Sequence, residues 1–370
     1  MKKYVVSICI VIAGAVGFYA CNEEDFASRE FYEYLVYLLS KEDMNVYHGE
    51  HPFPNAGEET IGFFSIGVGG SLPNPDAFVV ELTQNDSLFD RYNRYSFDVD
   101  SDKYAKLLSP KRYHIDRMVV DFPKDNKNQY VKVRVHVDNH GLSPDSTYFI
   151  PVSIKSVSGG YQTNPEKADL LYRVIVYNYF AEQIRMTTYS DRGSKLQVLN
   201  PFIEDVSQVV IVHDSLGQIS ETKVMRPLSK NSVRVMAGEE KEERLGNPTV
   251  EELVGGAMIL SLDNDYTEGE TYRKEVIGQN NQVYIVEGEY TAYKNVQISS
   301  YGTVQVEQID DVDPIPVDLP KWNIYREERA SMADETVIKY FYLRYRYRTL
   351  IVDQNYTAWT YVQTRLRKQE

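Results

Sequence analysis

Cysteine is almost missing from this chain of 370 residues. Only Cys9 and Cys21 carry a thiol, and both lie near the N-terminus. The remaining body therefore has no thiol for a disulfide, a thiolate nucleophile or a zinc–thiolate site. Because exported proteins depend on disulfides mainly when their cores are small, this absence favours two full-sized domains that are stable through packing.

Basic charge is also scarce relative to acidic charge. The chain has 40 Lys and Arg against 54 Asp and Glu, which gives a net charge of −14. An acidic surface repels polyanions, so we expect no nucleic-acid partner. Neutral glycans meet no such electrostatic barrier and fit this composition better.

The N-terminal apolar run is too short for a comfortable membrane span. It covers residues 4–18, follows Lys2 and Lys3, and has the length of a signal-peptide core. We therefore expect residues 1–20 to be a signal peptide that is removed on export.

Cys21 follows a small residue, an arrangement that resembles a bacterial lipobox, in which the cysteine is lipidated and becomes the first mature residue. Residues 22–25, NEED, resemble the acidic export signal that sends Bacteroidetes lipoproteins to the outside of the outer membrane. This pattern predicts a lipid anchor at Cys21, an acidic tether over residues 21–29 and an outer-membrane location facing the exterior. The alternative is an ordinary cleaved leader with a chance cysteine.

Strand signals dominate the body, and long helical periods are missing. Residues 130–137 alternate valine with polar residues, and residues 339–348 place Phe341, Leu343 and Tyr345 on one face. The chain has 30 Tyr, a residue that suits half-buried strands. A mainly β protein follows from these patterns.

The spacing of the strands and turns indicates two β domains. Residues 30–180 contain seven or so short strands with turns every eight to twelve residues, which is typical of an immunoglobulin-like β-sandwich. Residues 181–370 contain eight candidate strands. These are expected to close into an antiparallel, lipocalin-like β-barrel or to form a second sandwich.

Several stretches resemble a known, largely uncharacterised family. The N-terminal half carries LLSPKRY at 107–113 and GLSPDSTY at 141–148, and the C-terminal half carries RVMAG at 234–238 and YFYLRYRY at 340–347. They are similar to a two-domain Bacteroidetes surface lipoprotein of unknown function. Its N-terminal domain also precedes the catalytic module of a Bacteroides family 18 endo-β-N-acetylglucosaminidase. The resemblance implies a role around carbohydrate capture and brings no catalytic residues with it.

The chemical motifs of enzymes and metal sites are not convincingly present. Residues 67–72, GVGGSL, begin like a dinucleotide fingerprint but lack its third glycine. Residues 98–102 carry Asp at every second position but lack the glycine of a calcium loop. His136 and His140 bracket a strand end and a turn, so they lack the helical spacing of zinc ligands. We therefore expect no enzyme activity, no cofactor and no metal.

Five residues are candidate sites of binding or modification. Residues 310–320 are expected to form a Pro-rich loop, and Trp322 and Tyr325 follow it. Both are candidates for stacking on a glycan, although Trp322 would also serve as a hydrophobic plug at the end of the barrel or sandwich. Ser87, Ser146 and Ser215 lie in Asp-Ser-Leu or Asp-Ser-Thr tripeptides that resemble Bacteroidetes O-glycosylation sites. Asp-Ser pairs also simply suit turns.

Together these features predict a non-catalytic, cell-surface lipoprotein. It would bind a glycan or glycoprotein beside an outer-membrane glycan-uptake system. The alternative is a structural or adhesive surface protein that recognises protein partners.

Overall fold

The computed structural model describes residues 30, 32–40, 43–197, 217–240, 242, 248–269, 271–277, 282–289, 292–309, 321–331, 334–352 and 355–368. Cys21, Ser215 and the Pro-rich loop 310–320 lie outside these residues. So do residues 206–212, whose apolar run predicts one of the eight strands of the C-terminal half.

The N-terminal domain begins with a run of short strands and one helix. Its strands are β1 (Leu35–Leu38), β2 (Val46–Pro52), β3 (Thr60–Val68), β4 (Phe78–Thr83), β5 (Lys106–Leu107), β6 (Tyr113–Ile115), β7 (Val119–Phe122), β8 (Tyr130–Val137), β9 (Tyr148–Val157), β10 (Gln162–Thr163) and β11 (Asp169–Tyr177). Helix α1 (Ser87–Phe97) follows β4.

These strands form two sheets that face each other. One has the order β10-β1-β3-β8-β6, and the other has the order β2-β11-β9-β4-β7 with β5 beside β9. Val133 and Val135 of the first sheet and Val80, Val152 and Val174 of the second are fully or almost fully buried in one shared core. The predicted N-terminal β-sandwich is confirmed.

The apolar run at residues 114–122 predicts one strand, and this prediction is wrong in one respect. Its residues form two strands in different sheets, because β6 pairs with β8 while β7 pairs with β4. The chain crosses from one sheet to the other at residues 116–118. Both strands keep an apolar face toward the core, so alternation alone could not reveal the crossing.

Helix α1 was not expected from the sequence. Leu88 and Phe89 are buried on one of its faces, where they pack with Phe149 and Leu171 of the second sheet. The side chain of Asn93 accepts a hydrogen bond from the Ala105 amide at 2.9 Å.

Within the described residues, no helix combines the length and apolar character that a membrane crossing needs.

The C-terminal domain consists of longer strands and one short helix. Its strands are β12 (Thr187–Gln197), β13 (Gly217–Ser229), β14 (Ser232–Met236), β15 (Ala257–Leu262), β16 (Thr271–Ile277), β17 (Val283–Glu289), β18 (Tyr293–Ser300), β19 (Gln305–Gln308), β20 (Ile324–Ser331), β21 (Asp334–Arg348), β22 (Leu350–Val352), β23 (Asn355–Tyr356) and β24 (Thr360–Lys368). Helix α2 (Val250–Gly255) precedes β15.

Eight of these strands close into an antiparallel barrel. The order is β21-β20-β18-β15-β14-β13-β12-β24, and β24 pairs with β21 to complete the ring. Phe341, Leu343 and Tyr345 of β21 face the barrel core, as their alternation predicts. The barrel is therefore the correct one of the two architectures expected for this half.

Helix α2 is held by a capping box. The Thr249 hydroxyl accepts a hydrogen bond from the Glu252 amide, and the Glu252 side chain accepts one from the Thr249 amide. The sequence predicts one helical turn at residues 247–253, stopped by Gly255 and Gly256. The structure confirms the helix but places it at Val250–Gly255, with Gly256 as its C-cap.

A buried ion cluster joins the two domains. Arg234 of the barrel is completely buried and pairs with Asp145 of the sandwich and with Glu242. Arg226 lies opposite Arg234 on β13 and pairs with the same Glu242 at 3.1 Å. Burial alone would lower the pKa of Arg234, but the two carboxylates raise it above its usual value.

Candidate functional site

The link between the domains places two aromatic side chains at one mouth of the barrel. Asn178 organises a tight turn, because its side-chain oxygen accepts hydrogen bonds from the amides of Phe180 and Ala181, both at 2.9 Å. Its amide group also donates to the carbonyl of Ser229 at 2.7 Å. The turn is thereby fixed to the barrel, with Tyr179 at the rim and Phe180 inside.

Phe180 closes this mouth of the barrel with aromatic contacts. Its ring meets those of Tyr325 and Phe341 edge to face, with centroids 5.0 and 6.0 Å apart. Tyr189 packs against Phe341 from β12 and donates its hydroxyl to the Phe180 carbonyl at 3.0 Å. The mouth therefore has a rigid apolar floor.

A carboxylate surrounded by tyrosine hydroxyls lies above this floor. The hydroxyls of Tyr179 and Tyr325 donate to Oε1 of Glu327 at 2.7 Å, and that of Tyr266 donates to the same oxygen at 3.2 Å. We call these four residues the tyrosine rim. Within the described residues all three of these hydrogen bonds end on Oε1, and none ends on Oε2 of Glu327.

Two tyrosines of the rim expose their rings. Tyr179 is 57% exposed and Tyr266 is 45% exposed, while their hydroxyls are fixed on Glu327. Lys339 covers one face of Tyr179, with Nζ 3.2 Å from the ring centroid, and Lys294 lies 4.8 Å from that of Tyr266. Each ring is held in place without being enclosed.

The electrostatics of the rim keep Glu327 charged and the tyrosines protonated. Burial alone would raise the pKa of Glu327, but the three hydroxyl donors lower it below its ordinary value. Burial and the Glu327 charge raise the pKa of Tyr266 to about 12. Burial lowers the pKa of Lys339 to about 8, helped by the nearby charge of Lys368.

The rim has the chemistry of a sugar-binding surface. Ring faces of Tyr179 and Tyr266 can stack on the C–H faces of a pyranose, and Oε2 of Glu327 can accept bonds from its hydroxyls. The three tyrosine hydroxyls already hold the Glu327 carboxylate, and the same hydrogen bonds hold the rings of Tyr179 and Tyr266. Binding would therefore cost little side-chain entropy.

Neither of the two residues expected to stack on a glycan exposes its ring at this site. Tyr325 belongs to the rim through its hydroxyl, but it is 0% exposed and its ring is enclosed by Phe180 and Phe341. The expectation that it stacks on a sugar is therefore wrong. Trp322 is half-buried on the outer wall of the barrel, where it meets Tyr342 edge to face at 6.1 Å.

The two described serine candidates differ in accessibility. Ser87 is exposed at the start of α1. Ser146 is only 4% exposed and adjoins Asp145 of the domain joint, and its carbonyl accepts a bond from Gln183 at 3.0 Å. Burial argues against modification of Ser146 in the folded protein, whereas modification of Ser87 stays a prediction.

Sequence reasoning missed Tyr179, Tyr266, Glu327 and Lys339. They come from the domain link, a loop and two neighbouring strands, with 148 residues between Tyr179 and Glu327. Alternation along 339–348 does place Lys339 on the inward face. No local signal, however, indicates which segment closes the barrel mouth.

A second cleft lies on the sandwich beside the same domain link. It has a volume of 540 Å³ and is lined by Tyr47, Glu50, Tyr177 and Arg185 among others. Its size suits a small ligand. Its walls hold no exposed pair of anchored rings like that of the tyrosine rim.

Two family models match the chain over nearly all of its described length. A model for an N-terminal domain covers residues 32–160, and the model for the corresponding C-terminal domain covers residues 168–367. The comparison with curated proteins gave no match.

Solved structures of the same architecture come from Bacteroides. A Bacteroides ovatus protein of unknown function has a TM-score of 0.55 at 10% identity, covering 90% of this chain and 94% of its own. A second protein of unknown function from that species has a TM-score of 0.52 at 13% identity, covering 94% and 93%.

A third structure carries a functional description. An auxiliary nutrient binding protein from Bacteroides thetaiotaomicron has a TM-score of 0.52 at 10% identity, covering 89% of this chain and 92% of its own. At these identities the likeness shows the fold alone. The two family models, by contrast, span both domains in order, so this chain belongs to the two-domain family that they describe.

Proposed function

We propose that the chain is a non-catalytic, cell-surface lipoprotein whose tyrosine rim binds a neutral glycan, free or on a glycoprotein, for a neighbouring uptake system. The observation that carries the proposal is the anchoring of two exposed rings, Tyr179 and Tyr266, on one carboxylate, Glu327. A sugar ring stacks on exposed, immobilised aromatic faces, and its hydroxyls donate to an acceptor beside them. Packing of a protein core requires neither feature.

The structural relatives support a binding role. The neighbour described as an auxiliary nutrient binding protein shares both domains with this chain over nine-tenths of its length. A net charge of −14 also favours a neutral ligand over a polyanion.

A glycan-array screen of the full chain in detergent tests this proposal. We expect wild type to bind a set of neutral glycans, and Tyr266→Ala to lose most of that signal because a stacking face is removed. Tyr95→Ala is the matched control, since Tyr95 is 77% exposed on α1, far from the rim in sequence. Binding of no glycan, or equal binding by Tyr266→Ala and wild type, would overturn the proposal.

The surface location is proposed from Cys21. A lipid on this residue would supply the apolar anchor that is lost when the signal peptide is cleaved. We expect Cys21→Ala to move the protein from the membrane to the soluble fraction of its native host. Membrane retention of this variant would refute the lipoprotein assignment.

One observation favours the alternative of a protein partner. Strands β16 and β17 form a hairpin sheet of their own, with Val283 and Ile285 both more than half exposed. Among the described strands, β16 and β17 pair only with each other, and exposed apolar side chains on such a hairpin suit strand addition by another protein. If the array stays silent while Val283→Ser releases a co-purifying membrane protein, this second function is the correct one.

A further inference from the structure

Two histidines and two carboxylates meet on the outer face of the first sandwich sheet. His114 of β6 lies directly opposite His136 of β8 in the strand register. Glu59 precedes β3, on the other side of β8, and Asp116 follows β6. Four residues that are scattered over 78 positions of the sequence are thus brought together by strand pairing.

The two imidazole rings are stacked, and the same atoms of each ring face the same carboxylate. Their centroids are 4.1 Å apart and their planes differ by 15°. Nδ1 of His114 lies 3.8 Å from Oε2 of Glu59, and Nδ1 of His136 lies 3.9 Å from it. On the opposite side, Nε2 of His136 approaches Oδ1 of Asp116 to 2.7 Å.

We propose that His114, His136 and Glu59 form a binding site for a late first-row divalent metal ion, such as Zn²⁺, and that Asp116 positions His136. Two imidazoles and a carboxylate are ligands that zinc, copper and nickel prefer over magnesium and calcium. The three ligand atoms already lie within 4.8 Å of one another. The remaining coordination positions would face solvent.

Asp116 supports this assignment because it determines where the proton of His136 resides. A carboxylate beside Nε2 favours a proton there and leaves a lone pair on Nδ1, which faces Glu59. The Nδ1 lone pair and the Glu59 carboxylate are both acceptors, so they repel each other unless a cation lies between them. Metal-bound histidines typically have such a carboxylate on their other nitrogen.

A single divalent ion would contact both rings and Glu59 at once, since the three ligand atoms lie within 4.8 Å of one another. A tetrahedral ion separates its ligand atoms by about 3.3 Å, so the two gaps to Oε2 of Glu59 must close by roughly half an ångström. Because the rings lie only 15° from parallel, one of them must also tilt out of the stack for both Nδ1 lone pairs to point at the ion. The side chains of His114 and Glu59 are about half exposed and can move this far.

Titration of zinc chloride into the metal-stripped full chain in detergent, followed by calorimetry, tests the site. We expect one saturable event that weakens at least tenfold in both His114→Ala and His136→Ala. His140→Ala is the matched control, because His140 lies four residues after His136 and contacts the Glu58 carbonyl instead. Asp116→Asn should weaken binding about tenfold by releasing His136.

Melting curves without zinc establish that each variant is folded. If an alanine variant fails to fold, Glu59→Gln keeps the shape of an exposed side chain and should still weaken binding. Added zinc should raise the melting temperature of wild type and His140→Ala but not of His114→Ala. Absence of a saturable event in wild type, or equal affinity in His114→Ala and wild type, would overturn the proposal.

Discussion

A buried histidine illustrates how single residues determine the stability of the sandwich. His51 is completely buried, with Nδ1 2.9 Å from the Thr60 hydroxyl and Nε2 2.8 Å from that of Tyr172. Because the Thr60 hydroxyl donates to the Val137 carbonyl, it accepts from Nδ1, and Nε2 accepts from Tyr172. Burial lowers the pKa of His51 to about 4.

This neutral histidine predicts a loss of stability in acid. The unfolded chain binds a proton at His51 near pH 6.5, whereas the folded chain resists protonation until about pH 4. Stability therefore falls as pH falls through this window. Between pH 7 and 4.5 we expect wild type to lose about 2 kcal/mol more of its free energy of unfolding than His51→Gln.

Urea denaturation at the two pH values measures that difference. The matched control is His140→Gln, which makes the same substitution at a histidine on a turn, away from the contacts of His51 with Thr60 and Tyr172. Equal acid sensitivity in His51→Gln and wild type would show that His51 is protonated in the folded protein.

At the scale of elements, the two sandwich sheets depend on close packing around β11. The Tyr172 ring from β11 lies over Gly49 of β2 and Gly62 of β3, and a Cβ at either glycine would collide with it. The same ring stacks on Tyr47 with centroids 6.0 Å apart. Glycine is required at these two positions by space.

Gly62→Ala should therefore destabilise the protein by about 1–3 kcal/mol through overpacking. The matched control is Gly255→Ala at the end of α2, where the nearest atom, Oγ1 of Thr303, would be 3.4 Å from the new Cβ. Urea denaturation of both variants checks this. A Gly62→Ala variant as stable as Gly255→Ala would mean that Tyr172 moves aside without cost.

Elements with strong alternation were predictable, and those shaped by their partners were not. Residues 339–348 alternate so regularly that the sequence predicts which face of β21 lies in the barrel core, and the structure confirms it. Helix α1 was missed because its apolar residues cover less than half of a short helix. The crossing between β6 and β7 was missed because each strand separately satisfies the pattern of alternation.

At the scale of the whole molecule, two motifs that identify the family meet at the domain joint. Asp145 of GLSPDSTY at 141–148 pairs with Arg234 of RVMAG at 234–238. These two motifs therefore concern how the domains are fixed together. They carry no information on the tyrosine rim, whose residues approach each other only after the barrel closes, so sequence reasoning could anticipate a binding domain but not its site.

The central claim is that the tyrosine rim binds a neutral glycan through Tyr179 and Tyr266. The most direct measurement is calorimetric titration of the best-bound neutral glycan into the full chain and into the double variant Tyr179→Ala/Tyr266→Ala, at low and high salt. Each stacked ring contributes on the order of 1 kcal/mol, so affinity should fall roughly 30-fold.

Wild-type affinity should not change with salt, because neutral hydroxyls leave no charge to screen. The melting temperature of the double variant should fall only modestly, since both rings are about half exposed and Glu327 keeps the hydrogen bond from the Tyr325 hydroxyl. Tyr95→Ala should bind like wild type. Unchanged affinity in the double variant, or a loss of affinity accompanied by a large loss of stability, would contradict the account.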